Sequence, residues 1–210
     1  MTQFLDTVFT PAVYQQAWYN ADPFLQPVNS TPPAFAVPGE LGYIRRQLKI
    51  VNGMRFWQAR VTNASCDDMQ SAPDYVARFR TAAGGMCFGN YVFGVNQATA
   101  PFGPPWAPAR YTYYQGPSLR SLVYGLAGWS PVSNYGNAGY TVYLPSADDP
   151  AYGSQGPGII SQLIVDKWWD RATRMFVIDF NVFNADSGYL SAVRLVIEID
   201  RNGLILPKCV

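Results

Sequence analysis

The residues able to do chemistry in this chain are few. There is no histidine among 210 residues, which removes every Ser-His, Cys-His and His-metal arrangement at once. Paired carboxylates, the minimum for glycoside hydrolysis, occur at Asp67-Asp68 and Asp148-Asp149, but both lie in Gly/Pro-rich stretches and read as solvated turns. No nucleophile elbow, phosphate-binding loop or dinucleotide fingerprint occurs, and no spacing suits a metal. The three cysteines are Cys66, Cys87 and Cys209. Cys66 and Cys87 enclose 20 residues, a reasonable loop for one disulfide; Cys209, one residue from the end, is expected to be a free thiol. Two N-glycosylation sequons begin at Asn29 and Asn63. Pro32 should make the first a poorer acceptor, and the second directly precedes Cys66, which points to an oxidising compartment. Trp168-Trp169 could stack on a sugar, although one of them falls on an apolar helical face. Taken alone, the residues describe a non-enzymatic, extracellular α+β domain without a cofactor or metal.

Composition agrees with that description. Apolar residues make up 49% and charged residues 14%, with Lys and Arg numbering 15 against 14 Asp and Glu, for a net charge of +1. The core can be sizeable. The balance excludes disorder and argues against nucleic acid as a partner. Aromatic residues reach 15%, which suits a β-rich domain whose faces meet other surfaces. No stretch approaches the ~18 apolar residues of a membrane-spanning helix, and the start carries neither the basic nor the apolar region of a signal peptide.

The elements that must position these residues can be read from periodicity. Thr10-Pro11 predicts a helix over 11–20, with an earlier turn at 4–8. Strands are expected over 43–51 and 55–61, with Asn52-Gly53 as the turn between them. Residues 64–108 change character: they hold the cysteine pair, many glycines and one helical piece that begins at Ser71. Further short strands are expected at 110–114, 119–124 and 140–144. Ile160, Leu163, Ile164 and Trp168 mark one face of a helix. Residues 175–184 and 189–200 then form a hairpin closed by Ala185-Asp186-Ser187-Gly188. Pairing Asn184 with Tyr189 sets Phe176, Ile178, Phe180 and Val182 against Ile197, Leu195, Val193 and Ser191 on one face. On the other face it sets Asp179 opposite Arg194, as a structural ion pair. A slip of one residue would destroy both features.

The same hairpin carries a family resemblance. Trp169-Asp170-Arg171-Ala172-Thr173-Arg174, followed by a run that contains Asp179, Phe180 and Asn184, resembles the W-x-D-R-G-T-R and F-I-D-F-x-x-Y-N signature of the polycystin domain. Arg46-Gln47-Leu48-Lys49-Ile50, Asn63-Ala64-Ser65-Cys66, Ala100-Pro101-Phe102-Gly103-Pro104, Gly139-Tyr140 with Tyr143-Leu144, and Val193-Arg194-Leu195-Val196-Ile197-Glu198 resemble further motifs in the family's order. Ala172 stands where the family has glycine, so that turn should not need a left-handed backbone. The Cys66 to Cys87 spacing is also wider than the family's.

The resemblance implies a single domain over 1–210, an antiparallel sheet flanked by helices, with 64–110 as a protruding, disulfide-bearing excursion that reaches a neighbouring subunit. It implies the extracellular or luminal assembly and gating domain of a calcium-permeable cation channel related to the transient receptor potential family, lying between the first and second transmembrane helices. The channel would be a homotetramer, or a heteromer with a polycystin-1-like subunit. Further partners would be its own pore domain and extracellular proteins, and its location the ciliary or plasma membrane or the endoplasmic reticulum. The competing reading is a secreted binding module for a glycan or protein.

Overall fold

The computed structural model describes residues 1–14, 42–44, 47–65, 86–115, 133, 135–136, 138–146, 149, 152–201 and 203–209. These build mostly sheet, with few helices. Residues 15–20 of the expected first helix, the expected helix at Ser71, the strand over 119–124, and Asn29, Cys66, Asp67, Asp68 and Asp148 lie outside the described residues.

Seven strands form one antiparallel sheet: β1 (Tyr43–Ile44), β2 (Leu48–Arg60), β5 (Tyr113–Tyr114), β6 (Gly139–Leu144), β7 (Thr173–Asn184), β8 (Tyr189–Ile199) and β9 (Ile205–Cys209). The order is β5-β6-β2-β7-β8-β9, and β1 folds back onto β2. A separate two-stranded ribbon pairs β3 (Ala64–Ser65) with β4 (Met86–Cys87).

The central hairpin has the expected register. Asn184 pairs with Tyr189, Phe176 with Ile197 and Asp179 with Arg194. Its loop closes as composition demands: the Asn184 carboxamide oxygen accepts from the backbone N–H groups of Asp186 and Ser187, and Gly188 takes the left-handed conformation at φ 71°, where a side chain would be strained.

Two expectations need correction. Asn52-Gly53 is not a turn between two strands. It is a bulge inside the continuous strand β2, where the pairing with β7 shifts between Val51 and Arg55. Asn52 sits at φ 66°, and a Cβ on Gly53 would lie 2.6 Å from the Leu144 carbonyl oxygen. Asn-Gly is suited to left-handed backbone, and a bulge uses that as readily as a hairpin turn does. Nor does the N-terminal helix start at Pro11. Helical backbone runs from α1 (Thr2–Phe4) through a π turn (Leu5–Phe9) into α2 (Thr10–Val13). Pro11 therefore lies inside helical backbone, where it cannot donate to the preceding turn. The π turn widens the helix just before it, and the Thr10 hydroxyl donates to the Leu5 carbonyl oxygen at 2.6 Å.

The third helix, α3 (Tyr152–Val165), ends before Trp168. Lys167 adopts φ 52°, Trp168 N–H bonds the Leu163 carbonyl and Lys167 N–H that of Ile164. This is a Schellman stop with a lysine at the position glycine prefers. It turns Trp168 into the core beside Leu163 instead of along the helix face.

The sheet has a core on each side. Leu5, Phe9 and Val13 from the N-terminal helix join Ile160, Leu163 and Trp168 against Ile50, Phe56, Phe176, Ile178 and Val182. Across the sheet, Trp57, Ala59, Met175, Val177 and Val196 are covered by Tyr91 and Tyr135. Among the described residues, helices thus pack on one face, and Tyr91 of the expected excursion packs with Tyr135 on the other.

Candidate functional site

Around the signature turn, buried polar groups fasten the segment after β4 to the sheet. Asp170 shapes the turn: its carboxylate accepts from the Ala172 N–H at 2.9 Å, and its own N–H donates to the Thr173 hydroxyl at 3.0 Å. Thr173, wholly buried, donates to the Gln58 side-chain oxygen Oε1 at 2.9 Å. The Gln58 amide then donates to the Trp168 carbonyl at 2.7 Å. Arg60, also buried, donates to Trp168 O and to Asp170 and lies 3.8 Å over the Phe102 ring. A buried polar group without partners would be costly; here each satisfies the next. Ala172 is not among the described residues at positive φ, as its replacement of glycine requires.

Arg174 carries the contact to the segment after β4. Only 4% exposed, it donates to the carbonyls of Gly89 and Phe88 at 2.8 Å each, and to those of Arg171 and Thr173 at 2.9 Å. Burial pulls its guanidinium down from its ordinary value, and the four carbonyl dipoles take the place of water around the charge. Beside it, burial first and then the Glu198 carboxylate push the Tyr135 phenol up, so it stays a protonated donor.

The return of this segment is pinned as well. Val61 bridges to Gln97 and Phe102 to Tyr111, and the Tyr140 hydroxyl donates to the Ala100 carbonyl at 2.6 Å. At the end of α3, the fully buried Asp166 carboxylate accepts from Arg110 at 2.7 Å, Tyr111 at 2.6 Å and Gln162 at 2.7 Å. Burial alone would push this carboxyl up; the bonds from Tyr111, Arg110 and Gln162 outweigh it and hold it below the usual carboxylate value. Residues 88–110, part of the excursion expected to protrude, are therefore tied to the rest of the fold at several points.

The remaining signature residues have plainer places. Trp169 packs edge-on against Trp168 and donates from its indole to Thr2. Arg171 lies 5.6 Å over the Phe88 ring. Phe180 is core and Asn184 caps the hairpin loop. Asp179 pairs with Arg194, Nε to Oδ1 at 2.6 Å, and also with Arg55, which faces it from β2. Asn63 is exposed. Cys87 is disulfide-bonded and Cys209 is a free, exposed thiol; with Cys66 outside the described residues, the Cys66–Cys87 pairing stays an expectation. Asp149 is exposed in a bend. Among the described residues no group of three or more His, Cys, Asp or Glu could hold a metal, and no helix is long and apolar enough to cross a membrane.

Sequence reasoning missed Arg55, Gln58, Arg60 and Asp166. The signal was there for two of them: Gln58 and Arg60 share a strand face with the core residue Phe56, so each needed a buried partner.

Comparison with known proteins accounts for the whole stretch. The profile of the family described as "Polycystin domain" matches residues 10–210. Polycystin-2 of Danio rerio is 25% identical over 206 residues, covering 98% of this chain and 19% of that protein. Polycystin-2-like protein 1 of Homo sapiens is 32% identical over 109 residues, covering 51% of this chain and 12% of that protein. Polycystin-2 of Caenorhabditis elegans is 25% identical over 162 residues, covering 76% of this chain and 20% of that protein. The chain thus spans about a fifth or less of the length of these relatives. With the signature turn, the hairpin and the fastened segment all inside the matched region, the chain belongs to the polycystin domain family.

Proposed function

We propose that this is the extracellular or luminal assembly and gating domain of a polycystin-type, calcium-permeable cation channel, placed between the first and second transmembrane helices. One observation carries the reading. The segment held by Arg174 presents Val92, Phe93 and Val95 to solvent, at 49, 55 and 80% exposure. Apolar residues grouped on a fastened support suit a contact with another protein surface. In a channel built from several copies of such a subunit, that surface is the neighbouring copy, as a homotetramer or as a heteromer with a polycystin-1-like subunit. The role is not catalytic. Calcium would pass through pore helices outside this chain, and the domain would act on them through its two ends.

The same reading assigns a Cys66–Cys87 disulfide at the root of the excursion, where β3 and β4 run side by side, and glycans at Asn63 and, less often, Asn29. It places the domain outside the plasma or ciliary membrane, or in the lumen of the endoplasmic reticulum.

The test is topology in the full-length protein. Asn63 should carry a glycosidase-sensitive glycan while the protein stays with membranes, and peptide mapping without reductant should recover Cys66 joined to Cys87. An unmodified Asn63 in membrane-bound protein would contradict the assigned side. Release of the protein into the medium would favour a secreted binding module.

A further inference from the structure

On the sheet face that carries Tyr91 and Tyr135, away from those two side chains, an ion cluster lines a cavity. Arg55, Asp179 and Arg194 stand in one row across β2, β7 and β8, with side-chain exposures of 39, 19 and 33%. A guanidinium has five N–H donors. Each arginine spends its Nε and one Nη2 hydrogen on Asp179, and among the described residues neither Nη1 group has a partner. One carboxylate thus fixes two cations and neutralises only one.

The row lines a cavity of about 460 Å³ together with Gly53, Asn181 and Ala192, a size suited to a small ligand. Phe180 and Val193 bound it only by their backbone, because alternation sends their side chains to the helix-covered face. Every side chain in the cavity is therefore polar or small. Tyr143 stands opposite Arg55 on β6, on the same face, and is 70% exposed. The pairings of Lys49 with Phe183 and of Lys208 with Val196 put two lysines on the same face.

We infer that this cavity binds the sulfate or carboxylate group of an acidic sugar, held by the uncommitted donors of Arg55 and Arg194. The arginines supply charge-assisted hydrogen bonds with little reordering, since Asp179 already holds them. The Asn181 amide offers partners for hydroxyls and Tyr143 a flat surface for a sugar ring. An acidic peptide would leave the Asn181 amide and the Tyr143 face without the hydroxyls and flat ring that a sugar supplies. The inference goes beyond the channel reading and does not depend on it.

Titration calorimetry of the 210-residue chain with a heparin-derived hexasaccharide at low salt tests it. One saturable site is expected, weakening as salt is added. The Arg55→Gln/Arg194→Gln variant should lose at least tenfold in affinity. Asn181→Asp, which adds a carboxylate to the cavity and leaves the ion cluster intact, should lose as much, so the result does not hang on the stability of the double variant. Wild-type affinity in both variants, or no binding by the unaltered chain, would overturn the assignment. Equal affinity for inorganic sulfate would reduce it to a plain anion site, and equal affinity for a hexaglutamate peptide would exclude the sugar.

Discussion

Arg174 donates from Nη2 to the carbonyl oxygen of Phe88, 86 positions earlier in the chain, at 2.8 Å. That bond joins the signature strand to the segment leaving β4; Nε donates to Gly89 in the same segment, and Nη1 to Arg171 and Thr173 at the signature turn. Replacing Arg174 with Gln would leave most of these buried carbonyls unpaired. Hydrogen bonds to charged groups contribute about 1.5–3 kcal/mol each, and they are not additive within one group. A loss of about 3 kcal/mol or more is expected in urea melts. Hydrogen exchange should speed up most over residues 88–98, and a uniform increase across the sheet would contradict an anchoring role.

The Asp179 cluster predicts an order of effects. Asp179→Asn leaves Arg55 and Arg194 facing each other without their common partner, whereas losing either arginine leaves Asp179 one partner. The cluster is half-buried, between the ~0.2–1 kcal/mol of exposed pairs and the ~3–5 kcal/mol of buried ones. Thermal melts should show Asp179→Asn as the most destabilising single change, by about 1–2 kcal/mol, with a coupling between Arg194→Gln and Asp179→Asn in the double-mutant cycle. Three single variants that melt like the parent would show that the cluster holds nothing together.

Asp166 gives the pH dependence. Its carboxyl is held below the ordinary value in the fold, so the unfolded chain takes up its proton first as pH falls. Its contribution is complete above the ordinary carboxylate value of ~3.9 and is lost as pH drops through the folded value. Asp166→Asn should flatten the acid limb of the stability profile and leave the neutral-to-alkaline limb in shape. An unchanged acid limb in the variant would show that the Arg110, Tyr111 and Gln162 contacts do not govern it.

Lys167 predicts a gain. At φ 52° it bears a left-handed backbone that glycine adopts freely. Lys167→Gly should raise stability by about 0.5–1 kcal/mol, read from the urea midpoint at unchanged slope. A loss would mean that the lysine side chain outweighs the strain.

What was legible in the sequence was local or strictly periodic. The hairpin register followed from alternation together with the opposition of Asp179 and Arg194, because a strand offers only two faces. The loop at 185–188 followed from Asn184 and Gly188. Asn52-Gly53 misled because left-handed backbone serves a bulge as well as a turn, and only the continuous partners β6 and β7 decide between them. Pro11 misled because the π turn that accommodates it leaves no mark in residue type. Gln58 and Arg60 find their partners at Trp168 and Asp170, more than 100 positions away, and Asp166 finds Arg110 and Tyr111 on a segment with no periodicity. Such contacts are set by packing, which periodicity does not encode.

The central claim is that the Arg174-held segment meets a neighbouring subunit. Val95, at 80% exposure, is the position from which to measure it. The full-length protein would carry Val95→Cys, with Cys209→Ser to remove the exposed thiol, and be treated in membranes with a short maleimide-to-lysine cross-linker. The account predicts a ladder of linked subunits up to four, and its loss when Arg174→Gln is added. Monomer alone from well-folded, modified protein, or a ladder indifferent to Arg174→Gln, would contradict it.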